Sequence, residues 1–190
     1  MQKTHEAIHS PPDTREIRCR YLGLQKQMKH LDLDYYGVFN PVNVYYLTNF
    51  ANKVNERPII LLVPQDGSPF MLVPMFEKSH VERRTLLELS IIEYPEFPAP
   101  TGKNWHDLFK NHLHPNLNIG IESSFPIEIV NHTPGNKVIC NLVDDLRIIK
   151  TDYEISRNIH ACEIINRAHK ELLKRSRAGL RLGELIPVEN

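Results

Sequence analysis

The stretch IILLVPQDGSPFMLVPM, residues 59–75, contains two apolar segments separated by turn-forming residues. Asp66-Gly67 lies at the centre of the turn, and this pair is typical of a tight β-hairpin because such turns need residues that accept positive φ. The unbroken apolar run of residues 59–64 predicts a strand that is buried on both faces. The stretch therefore predicts an antiparallel strand pair in a sheet with cover on both sides.

Helices and further strands flank this hairpin. The segment before it has a capping-box spacing at Asp13 and Glu16, and its apolar residues then repeat at helical steps: Ile17, Tyr21, Leu24, Met28 and Leu31. The other predicted elements are strand 35–39, short helix 42–50, helix 77–87, strand 91–95, helix 105–113, strand 118–122, short helix 126–132, strand 138–140 and short helix 141–149. This order predicts a three-layer α/β domain with a mixed sheet and helices on both faces.

The chain divides into three predicted parts. Residues 1–12 are polar and are interpreted as a flexible tail, and residues 13–150 form the α/β domain. Thr151 and Glu154 form a second capping-box pattern. A long amphipathic helix follows, with apolar residues along one face at Ile155, Ile159, Cys162, Ile165, Ala168 and Leu172. Residues 151–190 are therefore interpreted as the start of a second domain.

Composition excludes several classes of partner and compartment. Lys and Arg number 23, as do Asp and Glu, so net charge gives no reason to expect nucleic acid or an anionic membrane as partner. No apolar run approaches the length of a membrane span. Cys19, Cys140 and Cys162 form no Cys-x-x-Cys pair, which favours a reducing cytoplasm. Cys140 and Cys162 have apolar neighbours and are expected to be buried and inert.

The chain offers weak candidates for chemistry of its own. His106, His112 and His114 lie close in sequence, but two or three histidines at a helix end do not complete a metal site without a carboxylate pair. A nuclease needs several carboxylates that converge at strand ends, and only Asp34 and Glu122 fall convincingly on strands. No catalytic residue and no metal ligand is predicted within these 190 residues.

Several segments, in the same order, resemble one family. Residues 41–50, PVNVYYLTNF, are similar to the "P-x-N-x-x-YLTGF" segment of the creatinase/prolidase/Xaa-Pro aminopeptidase family, with Asn49 where glycine is usual. Residues 56–58, ERP, precede an apolar strand as in its dipeptidase-like branch, which also has the Glu77 and His80 pattern. Residues 119–122 match its "IGIE" strand.

The resemblance continues into the predicted long helix. Arg147, Lys150 and Glu154 fit the family's "R-x-x-K-S-x-x-E-I" segment, which joins its two domains. Residues 179–185 are similar to its "G-x-T-E-x-E-L" turn, with Leu182 and Gly183 where Thr and Glu are usual. The resemblance implies a ribonuclease-H-like creatinase N-terminal domain, followed by the beginning of a "pita-bread" metallopeptidase domain.

The resemblance also implies what the parent protein does. Family members bind two divalent metals, such as Mn or Co, on two Asp, one His and two Glu, and a metal-bound water cleaves a bond before proline or a related C–N bond. All five ligands follow the turn at residues 179–185, so we expect a truncated chain without cofactor that is inactive alone. We expect a homodimer, and a proline-containing dipeptide or other small amide as the parent's substrate.

Three residues are candidates for substrate gating: Arg57, Tyr46 and Asn43. Family N-terminal domains help to wall the partner subunit's active site, and a guanidinium there could hold a substrate carboxylate. The alternatives are that Arg57 pairs with Glu56 or Glu77 to fix the hairpin, and that Tyr46 is a core or interface residue. The predicted function is a substrate-gating and dimerisation domain of a metal-dependent Xaa-Pro peptidase-like hydrolase. The alternative is a natural, non-catalytic binding or oligomerisation module.

Overall fold

The computed structural model describes residues 5–53, 57–96, 98–181 and 183. These residues form two compact units. One unit is Pro12–Ile149, and the other consists of the described residues of Met1–Pro11 and Lys150–Asn190. Of the turn predicted at residues 179–185, residues 182, 184 and 185 lie outside the described residues.

The described residues of the larger unit form six strands and six helices in the order that the sequence predicts. The strands are β1 Tyr35–Val38, β2 Ile60–Pro64, β3 Phe70–Pro74, β4 Ser90–Tyr94, β5 Asn118–Ile121 and β6 Asn136–Ile139. The helices are α1 Thr14–His30, α2 Pro41–Thr48, α3 Lys78–Arg84, α4 Trp105–Asn111, α5 Ile127–His132 and α6 Leu142–Ile148, and a 3₁₀ turn at Met75–Glu77 precedes α3.

All six strands form one mixed sheet in the order β4-β3-β2-β1-β5-β6. Strand β2 is antiparallel to β1 and to β3, with Ile60 opposite Leu72, so the predicted hairpin is confirmed. The β3–β4, β1–β5 and β5–β6 pairs are parallel. The carboxyl ends of every described strand except β2 therefore lie at the same edge of the sheet, together with the start of β2. We call this edge the carboxyl edge.

The core has two halves, one on each face of the sheet. Leu61 and Val63 of β2 belong to the half that is covered by α1, α2, α3 and α6. Ile60 and Leu62 belong to the half that is covered by α4 and α5. Since all four side chains are fully buried, the prediction of a strand covered on both faces is confirmed, and so is the three-layer α/β architecture.

Helix α1 begins and ends where local chemistry requires. The Asp13 carboxylate caps it by accepting from the Glu16 amide at 2.7 Å, which satisfies one of the amides that a helix start leaves open. The apolar stripe is buried through Met28, but Leu31 is 50% exposed. Leu31 is exposed because the helix ends at His30 and Asp32 then takes a positive φ of 51°.

The smaller unit is built on one long helix, α7, Asp152–Arg175. The predicted capping box is present: Glu154 N donates to Thr151 Oγ1 and Thr151 N donates to Glu154 Oε2. Cys162 on this helix is exposed and Cys140 in the larger unit is half-buried, so the prediction that both are buried was wrong. No helix in the described part of the chain is long and apolar enough to cross a membrane.

Candidate functional site at the carboxyl edge

The carboxyl edge of the sheet collects the predicted site residues. Helix α2, which carries Asn43 and Tyr46, follows β1, and Arg57 stands just before β2. Glu122 follows β5, and α6 follows β6 at the same edge. In α/β sheets this is the edge where side chains from separate strands meet and where ligands usually bind. The topology therefore brings the matched segments of sequence to one side of the unit.

A buried carboxylate, Glu122, is the centre of a hydrogen-bond network at this edge. Glu122 is 2% exposed and Asn43 is 1% exposed. Glu122 Oε2 accepts from the backbone amides of Phe39 and Asn40, each at 2.8 Å. Glu122 Oε1 accepts from Asn43 Nδ2 at 2.7 Å. Both carboxylate oxygens are thus engaged by the turn that leads from β1 into α2.

Helix α6 joins the same network through Asp144 and Arg147. Arg147 Nη1 donates to Asn43 Oδ1 at 2.8 Å and lies 3.3 Å from Asp144 Oδ1. Asn43 Nδ2 also donates to Asp144 Oδ1 at 3.1 Å. Asn43 is therefore the residue that connects the buried carboxylate to α6, and it uses both ends of its amide to do so. We call Asn43, Glu122, Asp144 and Arg147 the edge network.

The electrostatics of the edge network follow from burial. Burial raises the pKa of Glu122, while the donors from Asn40, Asn43 and Phe39 offset part of this rise and the charge of Asp144 adds to it. The three protein donors satisfy both oxygens of this almost fully buried carboxylate, as is usual for buried polar groups. The edge network therefore positions α2 and α6.

Tyr36 fixes the segment between β6 and α6. Its hydroxyl donates to Cys140 O at 2.7 Å and accepts from Leu142 N at 3.1 Å. Burial is the largest cause that raises the pKa of this hydroxyl far above its ordinary value, so Tyr36 stays a neutral donor and acceptor. The start of α6, which carries Asp144 and Arg147, is held by this tyrosine.

Arg57 has a different environment, at the surface. Its Nε lies 2.8 Å from Glu96 Oε2, and the two side chains are 38% and 39% exposed. Its guanidinium also lies over the Phe76 ring, 5.2 Å from the centroid. Glu77, one of the two predicted partners, contacts His80 at 3.0 Å, and Glu56, the other, lies outside the described residues. Arg57 is thus held at the edge by Glu96 and Phe76.

Tyr46 is mostly buried, as the alternative interpretation expects. Arg20 of α1 lies over its ring at 4.2 Å, and Arg20 Nη1 donates to the Tyr46 carbonyl at 2.9 Å. Tyr46 is 8% exposed, so it joins α1 to α2. Of the three predicted site residues, only Arg57 has a side chain that reaches solvent to a substantial extent, and whether any of them gates a substrate stays a prediction.

Apolar side chains are exposed at the same edge. The α2 residues Val42 and Tyr45 are exposed, as are Met75 and Phe76 of the 3₁₀ turn that follows β3. Exposed apolar side chains are a feature of interaction surfaces, and the Phe76 ring centroid lies 5.2 Å from the guanidinium carbon of Arg57. The carboxyl edge therefore combines a positioned guanidinium with apolar groups, which together could contact a peptide or a protein surface.

The histidines are engaged in local contacts. His106 Nδ1 lies 3.4 Å from Asp107 Oδ1, and its ring lies 4.7 Å from that of His132. His112 Nδ1 lies 2.7 Å from the carbonyl of Leu108. Among the residues that the structure describes, no group of three or more His, Cys, Asp or Glu is arranged to hold a metal ion.

The sequence analysis did not predict the edge network, although it had singled out the segments that contain its members. Asn43, Glu122 and Arg147 each belong to a different matched segment, and these segments are 79 and 104 residues from Asn43 in the chain. Beyond its place in the IGIE match, Glu122 was weighed for chemistry only as a nuclease carboxylate. Each of these family-like segments has a polar residue at a fixed position. This pattern indicates that the segments contact one another in the fold, and it could have predicted the edge network.

Residues 20–149 match the protein family described as the Creatinase/Prolidase N-terminal domain. An uncharacterised peptidase of Staphylococcus epidermidis is 23% identical over 132 residues, which are 70% of this chain and 37% of that protein. A prolidase structure from Pyrococcus horikoshii has a TM-score of 0.69 at 20% identity, over 87% of this chain and 45% of that chain. The N-terminal domain of an Xaa-Pro dipeptidase from Lactobacillus brevis has a TM-score of 0.56 at 17% identity, over 68% of this chain and 99% of that chain. The chain thus spans less than half the length of the first two proteins.

Proposed function

Because this chain belongs to the creatinase/prolidase N-terminal domain family, we propose that it is the substrate-gating and dimerisation domain of a metal-dependent Xaa-Pro peptidase-like hydrolase, and that it is not catalytic by itself. The proposed substrate class of the parent is a proline-containing dipeptide or another small amide. The proposed assembly is a homodimer in the cytoplasm. The similarity of this chain to the structures of a prolidase and an Xaa-Pro dipeptidase supports this choice of reaction.

The observation that carries the proposal is the arrangement around Arg57. A dipeptide ends in a carboxylate, and a guanidinium is the side chain best suited to hold one with two parallel hydrogen bonds. Glu96 and Phe76 orient Arg57 from two sides, which lowers the conformational cost of binding. A half-exposed, oriented arginine at the carboxyl edge is suited to one wall of a small-peptide site.

The two divalent metals of the proposed parent would supply a metal-bound water as the nucleophile. We propose that this chain's own part is recognition. Arg57 would bind and orient the substrate's carboxylate. The exposed apolar residues beside it would exclude water from one side of the peptide and contact the partner protomer.

Two measurements test the domain assignment. An antibody raised against this chain is used to size the native protein in its source cells, and a band at more than twice 22.1 kDa is expected. The 190-residue chain is then assayed with an Xaa-Pro dipeptide in the presence of Mn²⁺ or Co²⁺. No turnover is expected, and metal-dependent turnover by this chain alone would refute a purely non-catalytic role.

The role of Arg57 is tested in the longer enzyme by the change Arg57→Lys. This substitution keeps the positive charge and removes the fork geometry, so we expect KM for the dipeptide to rise about tenfold, which corresponds to about 1.4 kcal/mol of lost binding. The value of kcat should change less than threefold. Arg83→Lys, at an exposed position of α3, is the matched control. An unchanged KM for Arg57→Lys would reject Arg57 as a carboxylate-binding residue.

A second candidate is a stand-alone binding or oligomerisation module. The observation that favours it is the exposure of four large apolar residues on α7: Ile164, Ile165, Leu172 and Leu173. Such a helix face is rarely left in water. An antibody band at 22.1 kDa together with a dimeric mass by light scattering would favour this module. A monodisperse monomer at high concentration would argue against self-association through α7.

A further inference from the structure

The N-terminal segment and α7 form a contact that the proposed function does not use. Residues 5–11, which we call the N-terminal strap, lie beside the first turns of α7. Arg157 Nη1 donates to the carbonyls of Ile8 and His9 at 3.1 and 3.0 Å, and Tyr153 Oη donates to the Ser10 carbonyl at 3.1 Å. The Ile8 amide donates to the Ser156 carbonyl at 3.3 Å. The strap is thus docked through its backbone at several consecutive residues.

Histidines lie at both ends of this contact. His5 Nε2 lies 3.0 Å from Asp152 Oδ1. Farther along the strap, the rings of His9 and His160 are 3.9 Å apart between centroids. His160 Nδ1 is buried and, among the described residues, has no hydrogen-bond partner. The two ends therefore differ in charge: one histidine faces a carboxylate, and the other faces a second histidine.

We infer that the strap is a proton-operated latch, in which acidification releases residues 8–11 from α7. A protonated imidazole needs an acceptor for each of its two N–H groups, and in the docked state His160 Nδ1 has none. Protonation of both rings would also place two positive charges within 3.9 Å of each other. Both effects destabilise the docked state at low pH, and both are absent once the strap has dissociated from α7.

The surrounding charges favour the same direction. Arg157 and Arg167 add positive potential at His160, and Glu163 opposes them. Desolvation is the largest cause that lowers the pKa of His160, followed by the charge of His9. Because the pKa of His160 is lower in the docked state than after release, release is accompanied by proton uptake. The docked state therefore has its full stability above the ordinary histidine pKa of 6.5 and loses stability as pH falls below this value. The His5 contact with Asp152 lies at the start of the strap, away from the His9 and His160 rings, so release is limited to the far end of the strap.

Hydrogen exchange of the Ile8 amide, measured by NMR, tests the latch directly. One proton taken up only on release changes the docking equilibrium by up to tenfold per pH unit. We expect the protection of the Ile8 amide, corrected for intrinsic exchange, to fall about tenfold between pH 7.5 and pH 5.5. The Val44 amide, which donates to Asn40 O in α2, is the internal control and should not follow this change.

Variants separate the latch from general fraying of the terminus. His160→Gln should leave the protection of Ile8 independent of pH, and His5→Gln should increase release at pH 5.5. If His160→Gln abolishes docking at every pH, the test uses the native His160 instead. The pKa of His160 is then measured from its ring resonances, with and without residues 1–11. The latch predicts that this pKa rises toward 6.5 when residues 1–11 are deleted. The latch is rejected if protection does not change with pH, if it changes equally in His160→Gln, or if the deletion leaves the His160 pKa unchanged. This inference is independent of the proposed function.

Discussion

Replacing Asn43 by alanine tests whether the edge network holds the larger unit together. The change removes hydrogen bonds to Glu122, Asp144 and Arg147, each of which involves a partner that can carry charge. Such bonds contribute roughly 1.5–3 kcal/mol each, and a buried charged group left without its partner costs more than a neutral one. Glu122 keeps two backbone donors, so the loss is partial. We expect the free energy of unfolding to fall by about 3–4 kcal/mol, a large fraction of the 5–15 kcal/mol of a typical domain.

Urea denaturation followed by tryptophan fluorescence measures this loss. The chain has one tryptophan, Trp105, which is buried in the half of the core on the other face of the sheet, so it reports unfolding of the whole unit. With an m-value of about 2 kcal/mol per molar, the midpoint should fall by about 1.5–2 M. Asn116→Ala, at an exposed position, should stay within about 0.5 kcal/mol of the native chain. A loss below about 1 kcal/mol for Asn43→Ala, with an unchanged m-value, would refute the structural role of the network.

Three further changes probe the same unit. Gly120→Ala places a Cβ 2.7 Å from both Leu33 Cδ1 and Tyr36 Cδ2, and thermal unfolding should show a loss of roughly 1–3 kcal/mol from overpacking. Tyr36→Phe leaves the buried Leu142 amide without its acceptor, and urea denaturation should show a loss of about 1–3 kcal/mol. Because burial raises the pKa of Glu122, the folded state keeps its proton to higher pH than the unfolded state. The native chain should therefore lose stability relative to Glu122→Gln as pH rises from 4.5 through the raised pKa, and a relative gain over that range would contradict this cause.

The order and type of the elements follow from local sequence. The Asp66-Gly67 pair between two apolar runs is sufficient to predict the β2–β3 hairpin, because the pair favours a chain reversal and the apolar runs indicate burial. It does not predict the register, since residues 65–69 connect the two strands. Caps such as Asp13 and Thr151 give helix starts to within a residue. Leu31 shows where this reasoning fails: helical spacing identifies a face of the helix, but it does not say at which residue the backbone turns away.

Contacts between distant segments could not be predicted in the same way. Cys162 lies among apolar residues on α7 and was expected to be buried, yet it is exposed, because periodicity identifies an apolar face without identifying what covers it. The strap was interpreted as a flexible tail because its sequence is polar. Its docking depends on backbone carbonyls of Ile8 and His9, and every sequence has backbone carbonyls, so no residue pattern marks them.

The edge network shows that matched polar residues of the family-like segments have a structural role. Asn43, Glu122 and Arg147 come from three such segments, and Asn43 forms hydrogen bonds to both of the others within the larger unit. A family match that rests on these residues is therefore evidence for how α2, β5 and α6 are joined, and it carries little information about chemistry. Arg57 is instead half-exposed. The kinetic test of Arg57 in the longer enzyme therefore bears on function, whereas the stability of Asn43 variants bears on the fold.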